Sequence, residues 1–243
     1  MTPSLTILVP SYNESATLPH VLKALLALEL PGGHEVIVID DGSQDDTGST
    51  IEQFNDPRLR ILSHSYNRGK GAAILTGLAQ ANGDYTLIFD ADLEYDPNDI
   101  LRLYSEAARD SWSFVMGSRT FGSHTAYSFW YVLGNRATTL FVNVLFNSYI
   151  TDLHSCLKLV DTRLLQALAL REQRFGLDVE LVCELLARNA RPFEIPISYK
   201  ARTRAEGKKI TVRDGLNSLW VATRVRLRHW APIRQAIWPR ARG

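Results

Sequence analysis

Asp90, Asp92 and Glu94 stand two residues apart in the stretch YTLIFDADLEYDP (85–97), directly after the apolar run Leu87-Ile88-Phe89. Residues i, i+2 and i+4 of an extended segment share a face, so this spacing predicts three carboxylates converging just beyond a buried strand. Crowded carboxylates repel one another, and a cation among them relieves the repulsion. Hard oxygen ligands suit Mg²⁺ or Mn²⁺, with water or phosphate oxygens completing the shell. Asp90, Asp92 and Glu94 are therefore the expected metal ligands.

Three other polar loops carry matching chemistry: PSYNE (10–14), DDGS (40–43) and NRGKG (67–71). Asp40 or Asp41 can accept hydrogen bonds from a base edge or a ribose hydroxyl. Arg68 and Lys70 sit in a glycine-flanked turn, where a missing Cβ lets backbone approach a phosphate or base closely. A dinucleotide fingerprint needs G-x-G-x-x-G directly after the first strand, and that position, PSYNES, has no glycine. G-x-x-x-x-G-K-[ST] is also missing. NAD, FAD and P-loop chemistry are excluded in favour of a nucleotide site built from carboxylates.

These loops need a scaffold that gathers them. LTILVP (5–10), EVIVID (35–40) and residues 58–63 and 85–89 read as strands. Helices are expected between them: one on Leu18, Val21, Leu22, Leu25 and Leu28, one over 47–54 and one over 72–81. Strands alternating with helices imply right-handed βαβ units and a parallel sheet. Ligands bind such sheets beyond the carboxyl ends of the strands, so all four loops are expected on one edge. Downstream, 113–117, 157–160 and 193–198 are expected strands, and 126–146, 178–188 and 211–230 expected helices.

At 243 residues the chain can bury a sizeable core. It reads as one α/β domain over 1–210 with a basic, amphipathic helical extension over 211–243. Cys156 and Cys183 make no disulfide framework and no zinc cluster, which fits a reducing compartment. The N-terminus lacks a basic segment followed by a long apolar one, and no apolar run approaches a membrane span. A cytoplasmic protein is expected. The near-neutral net charge of +1 hides an asymmetry: residues 196–243 hold twelve Lys or Arg against two acids, leaving fifteen against twenty-four before them. A basic tail points to an anionic partner. Nucleic acid is disfavoured, because the strand-end carboxylates would repel a polyanion. A membrane surface is favoured: Val221, Val225 and Trp220, Trp230 and Trp238 are expected on lipid, with Arg224, Arg226 and Arg228 at headgroups.

VPSYNE, DDGS, NRGKGAA and DADL, in this order, resemble family 2 glycosyltransferases of the GT-A fold. The resemblance continues through GSR (117–119), TDLHSCLKL (151–159), FGLDVEL (175–181) and IPISYKARTRAEGKKITVRDG (195–215), and narrows to polyprenyl-phosphate, dolichyl-phosphate mannose synthase-like members. It implies an inverting transfer from a nucleoside diphosphate sugar, GDP-mannose first and UDP-glucose second. Pro10, Tyr12, Glu14, Asp41 and Lys70 are implied for the nucleotide pocket. Asp90, Ala91, Asp92 and Glu94 are implied for the metal–diphosphate end, although the family often has Gln where Glu94 stands.

The acceptor decides which other residues matter. A sugar hydroxyl needs a carboxylate base, and Asp178 or Glu180 would be that base. A monophosphate is largely dianionic at neutral pH and needs cations instead, for which the planar fork of arginine is suited. By resemblance, Arg119, Arg202 and Lys209 contact phosphates; by position, Arg136 and Lys208 join them for an acceptor polyprenyl phosphate. Asp92, Asp152, Arg119 and Arg202 are the expected catalytic set, Asp152 contacting the donor sugar or helping assemble the site. His154 is expected at the surface or in a supporting role.

Overall fold

A computed structural model describes residues 2–120, 129–201 and 212–229. Seven strands form one sheet: β1 (Leu5–Ser11), β2 (His34–Asp40), β3 (Leu59–Ser63), β4 (Tyr85–Ile88), β5 (Phe114–Ser118), β6 (Lys158–Asp161) and β7 (Phe193–Pro196). The helices are α1 (Leu18–Leu26), α2 (Thr47–Ile51), α3 (Lys70–Leu78), α4 (Asn98–Asp110), α5 (Phe129–Phe146), α6 (Thr162–Gln166), α7 (Gly176–Ala187) and α8 (Val212–Arg228). The strand order is β3-β2-β1-β4-β6-β5-β7. β1, β2 and β4 are near-continuous apolar runs because helices cover both faces of the sheet; Leu5, Ile7, Leu8, Val36–Ile39 and Leu87 are all buried.

The chain leaves β1 towards β2 and β3 on one side and returns to β4 on the other, so a topological switch point lies between β1 and β4. That crevice, at the carboxyl edge, is where such sheets bind ligands. PSYNE and DADL flank it.

The sheet is not wholly parallel. β6 runs antiparallel between β4 and β5, pairing Lys158 with Ile88 and with Met116. After β5 the chain makes a long excursion through α5, then re-enters the sheet from the carboxyl edge. This reversal brings residues 150–157 to the same edge as the ends of β4 and β5. β7 is parallel to β5, pairing Ser118 with Pro196, so Ser198–Lys200 also arrive there.

The tail helix differs most from expectation. α7 is apolar almost all round and must be covered on several sides. α8 packs against α7 and α5, burying Val221, Ala222 and Val225. Val221 and Val225 are core residues here, not lipid contacts. Arg224 reaches Glu172 (2.7 Å) and Glu180 (3.1 Å), and Arg228 reaches Glu180 (3.1 Å) and Glu184 (2.9 Å). Both arginines are therefore spent on the α7–α8 seam rather than on headgroups. Trp230 and Trp238 lie outside the described residues.

Candidate active site

The loops after β1 and β2 are laced together. Asn13, at φ 55°, donates its N–H to Ser43 Oγ (3.0 Å), and its side chain accepts from Gln44 N (2.8 Å). Glu14 N donates to Thr47 Oγ1 (3.0 Å), while Glu14 Oε2 accepts from Thr17 Oγ1 (2.7 Å) at the start of α1. Pro10, Tyr12 and Glu14 are all half-buried beside this junction.

Asp41 has a structural task that the local pattern does not show. Its carboxylate is buried and accepts from Arg68 N (2.9 Å) and Gly69 N (2.7 Å), with His64 Nδ1 at 2.6 Å. Carboxylates bonded in this way position backbone, so Asp41 fixes the NRGKG turn. Asp40, half-buried at the end of β2, is the acidic residue of DDGS with the more accessible carboxylate. Gly69 has φ 101°, and a Cβ there would lie 2.5 Å from Gln173 O. Its lack of a side chain makes room for the chain entering α7, not for a phosphate. Arg68 is exposed.

The carboxylate cluster sits on a turn, not on an extended strand. β4 ends at Ile88, and Leu93 adopts φ 59°. Asp90 and Asp92 are half-buried, and Ala91 between them is buried. Glu94 N donates to Asp92 Oδ1 (3.1 Å), and the buried Glu94 carboxylate accepts from Tyr199 Oη. Among the described residues no group of three or more potential metal ligands is assembled. The three-ligand expectation is thus corrected to a two-carboxylate turn, with Glu94 drawn aside by a phenol invisible in the local pattern. The turn does attract positive charge: Lys70 Nζ lies 2.7 Å from Asp90 Oδ1. Two hard carboxylates fit a divalent ion that completes its shell with phosphate and water oxygens.

Beneath the turn lies a charge chain. Lys70 also approaches Asp178 (3.5 Å), and the fully buried Lys158 lies 3.4 Å from Asp178 on the other side. Burial opposes the charge on Lys70, but Asp178 and Asp90 outweigh it and hold its pKa well above the usual lysine value. Burial likewise opposes the Asp178 anion, and Lys70 and Lys158 overcome it, so its pKa is lowered. Asp178 is a held anion and a weak proton acceptor. Glu180 is fully buried, accepting from Arg171 N (2.6 Å), Glu172 N (2.7 Å), Arg224 and Arg228. It belongs to the α7–α8 seam and is corrected as a candidate base.

On the other flank, β5 delivers Arg119 and the returning chain delivers Asp152. Arg119 grips the buried Asp152 with two side-chain bonds of 2.7 Å and its own N–H at 3.1 Å; Asn135 adds a fourth at 3.3 Å. Burial would raise the Asp152 pKa, but Arg119 prevails and brings it to about 2. Asp152 therefore orients Arg119, the assembling role of the two expected for it. His154 is half-buried against Thr138 (2.9 Å); desolvation and then Lys158 lower its pKa to about 4, so it is neutral and supporting. Arg136 is exposed, on a different face of α5 from Asn135. Arg202, Lys208 and Lys209 lie outside the described residues.

Sequence reasoning missed Lys158, His64 and Tyr199. A lysine inside the apolar stretch CLKLV was the available signal for Lys158; nothing in the local pattern marked the other two.

The family model described as Glycosyl transferase family 2 matches residues 6–168. Undecaprenyl-phosphate 4-deoxy-4-formamido-L-arabinose transferase of Sodalis glossinidius is 34% identical over 110 residues, covering 43% of this chain and 34% of that protein. Dolichyl-phosphate beta-glucosyltransferase of Dictyostelium discoideum is 34% identical over 130 residues, covering 48% of this chain and 40% of that protein. The matches thus span about a third to two fifths of these relatives' lengths. Glucosyl-3-phosphoglycerate synthase of Mycobacterium tuberculosis, solved with Mn²⁺, UDP and glucosyl-3-phosphoglycerate, superposes with a TM-score of 0.70 at 19% identity, covering 93% of this chain and 80% of that one. At that identity the likeness speaks for the fold.

Proposed function

Because the chain belongs to glycosyl transferase family 2, we propose that it moves a sugar, with inversion, from a nucleoside diphosphate to a polyprenyl phosphate. The observation that carries the phosphate acceptor is the state of the two carboxylates a hydroxyl acceptor would need. Asp178 is clamped between Lys70 and Lys158, and Glu180 is buried under Arg224 and Arg228. A phosphate brings its own negative charge and needs no base. The names of the undecaprenyl- and dolichyl-phosphate relatives support the same acceptor.

In this reading an acceptor phosphate oxygen attacks the anomeric carbon opposite the leaving diphosphate. The new C–O bond forms as the bond to the diphosphate breaks, and the electron pair leaves with the nucleotide. Arg119, oriented by Asp152, holds the acceptor phosphate, with Arg202 and Lys208 joining from the segment that follows β7. Pro10, Tyr12, Glu14 and Asp40 bound the nucleotide, and Lys70 and Lys209 serve its phosphates. Asp90 and Asp92 would hold Mg²⁺ or Mn²⁺, which when bound neutralises charge on the leaving group.

The donor preference moves from mannose towards glucose. The dolichyl-phosphate relative is a glucosyltransferase, and the solved neighbour binds UDP with Mn²⁺. UDP-glucose becomes the first choice and GDP-mannose the second.

A lipid-linked acceptor calls for a lipid surface, for which we propose the exposed apolar stripes of α5 and α8 in place of the Arg224 and Arg228 side of α8. No described helix is long and apolar enough to cross a membrane. Phe129, Trp130, Leu133, Leu140 and Val144 of α5 are exposed, Trp130 by 76%, as are Leu216, Trp220 and Leu227 of α8. Residues 129–149 contain no acid, and exposed Arg136 and Arg213 lie among these apolar groups. Aromatic and aliphatic side chains mixed with arginine suit an anionic bilayer surface.

Transfer assays with a panel of nucleotide sugars, with and without polyprenyl phosphate and Mn²⁺, test the proposal. Mn²⁺-dependent transfer to the lipid phosphate is expected. Transfer to a free sugar hydroxyl, and none to the lipid phosphate, would overturn it.

A further inference from the structure

Tyr199 lies two residues beyond the Ile197 N–H that bonds Ser118 O, at the root of the segment carrying Arg202. Its backbone is fixed from both sides. Ser198 N donates to Asp99 Oδ2 (2.8 Å), Lys200 N donates to Glu94 O (2.8 Å), and Tyr95 and Tyr199 form an antiparallel bridge. The ring packs on Tyr95 with centroids 5.0 Å apart, and Tyr95 Oη in turn accepts from Cys156 N (3.0 Å). A tyrosine held this firmly is a fixed point, and the site is arranged around it.

Two functional groups meet that fixed point from opposite flanks. The Tyr199 hydroxyl donates to Glu94, whose own N–H holds Asp92 Oδ1 on the carboxylate turn. The face of the same ring lies 4.9 Å from the Arg119 guanidinium carbon, within the range of a cation–π contact. Burial and the Glu94 carboxylate both raise the phenol's pKa, so the hydroxyl keeps the proton it donates.

Resting on the glycosyltransferase reading above, we propose that Tyr199 is a positioning residue shared by the two halves of the reaction. Its hydroxyl sets the Glu94–Asp92 turn that serves the donor end, and its ring sets Arg119 at the acceptor end. The two ends are thereby kept at a fixed separation by one side chain.

The two functions separate by substitution. Tyr199→Phe keeps the ring and removes the hydroxyl; Tyr199→Leu removes both. Mn²⁺ binding in the presence of UDP, followed by electron paramagnetic resonance, reads the donor end without turnover. The KM for a short-chain polyprenyl phosphate reads the acceptor end. Tyr199→Phe is expected to weaken Mn²⁺ binding about five- to tenfold, the loss of one charge-assisted hydrogen bond, with the acceptor KM within twofold of wild type. Tyr199→Leu should add a several-fold rise in acceptor KM. In a Glu94→Gln background, Tyr199→Phe should cost much less, since the two residues act on one turn.

Unchanged Mn²⁺ binding in Tyr199→Phe, or equal acceptor KM values for the Phe and Leu variants, would overturn the proposal and leave the reaction assignment standing. Wild-type protein that transferred sugar without binding Mn²⁺ would end the metal assignment and this proposal together. Circular dichroism and thermal melts of both variants identify a loss caused by unfolding, and a Phe variant that melts like wild type yet shows no change counts against the role.

Discussion

Two clusters of charge among the described residues have opposite characters. At the α7–α8 seam, Glu180 and Glu184 are buried under Arg224, Arg228, Arg188 and His229, and the acids have their partners within the protein. At the β4 turn, Asp90 and Asp92 are half-buried at the sheet's carboxyl edge, and a lysine already leans on one of them. The seam is charge used to hold helices together. The turn is charge held half-buried at the edge where such sheets bind ligands. A buried ion pair adds little net stability over apolar packing but is costly to break, whereas a half-exposed carboxylate can be neutralised with little effect on folding. Function and stability should therefore come apart between the two clusters.

The largest separation is expected from Asp92→Asn. Transfer activity should fall by about 10²-fold or more, with stability in urea changed by no more than about 0.5 kcal/mol. Retained activity, or retained activity of wild type in EDTA, would remove the turn from the chemistry. Glu180→Ala should do the reverse, costing about 3–5 kcal/mol by leaving two arginines and two backbone N–H groups without their shared acceptor. A small shift in the urea midpoint would mean the seam is looser than its distances imply.

Buried and half-buried histidines should also weigh on stability rather than on activity. His154 binds a proton less readily folded, at about 4, than unfolded, near 6.5, and the pKa of His34 is lowered too, by burial and then Arg58. The unfolded chain therefore takes up protons first as the pH falls. Stability should be complete above pH 6.5 and decline towards pH 4, by about 3 kcal/mol at most from His154. Urea midpoints across this range read the slope, and His154→Gln should flatten it. Asp152 has the depressed carboxylate pKa, so its contribution holds above pH 3.8 and is lost only as the pH falls through about 2.

The smallest effect concerns the exposed stripes. Trp130→Ser with Leu140→Ser should lower co-flotation with phosphatidylglycerol vesicles several-fold, since side chains at a bilayer surface are only partly removed from water and gain a fraction of their full transfer free energy. Activity on a water-soluble, short-chain acceptor should stay near wild type. Undiminished flotation would move the lipid surface elsewhere on the protein.

Much of the scaffold was legible because periodicity and turn residues report local structure. β1, β2 and β4 are near-continuous apolar runs, and the polar loops that follow them do share one edge. Legibility failed wherever a residue's role depends on a distant partner. Asp41 reads as a ligand contact because acceptors look alike in sequence; only the fold brings His64 and the 68–69 backbone onto it. Glu94 reads as the third member of a carboxylate row, yet Tyr199, more than a hundred residues later, takes it. Arg224 and Arg228 read as a basic face, but the acids that match them lie on another helix.

By itself the sequence determined the alternation of strands and helices, the carboxyl-edge placement of PSYNE, DDGS and DADL, and the family those motifs belong to. Each follows from short-range spacing, which a chain carries wherever it folds. Tertiary structure alone decided which charges are buried against partners within the protein and which stand half-buried at the sheet's carboxyl edge. It reversed β6 so that Asp152 and Lys158 reach the site, paired Asp152 with Arg119, and closed the tail's arginines over Glu180 and Glu184. A charge is committed only when its partner arrives, and that arrival is set by how the elements pack.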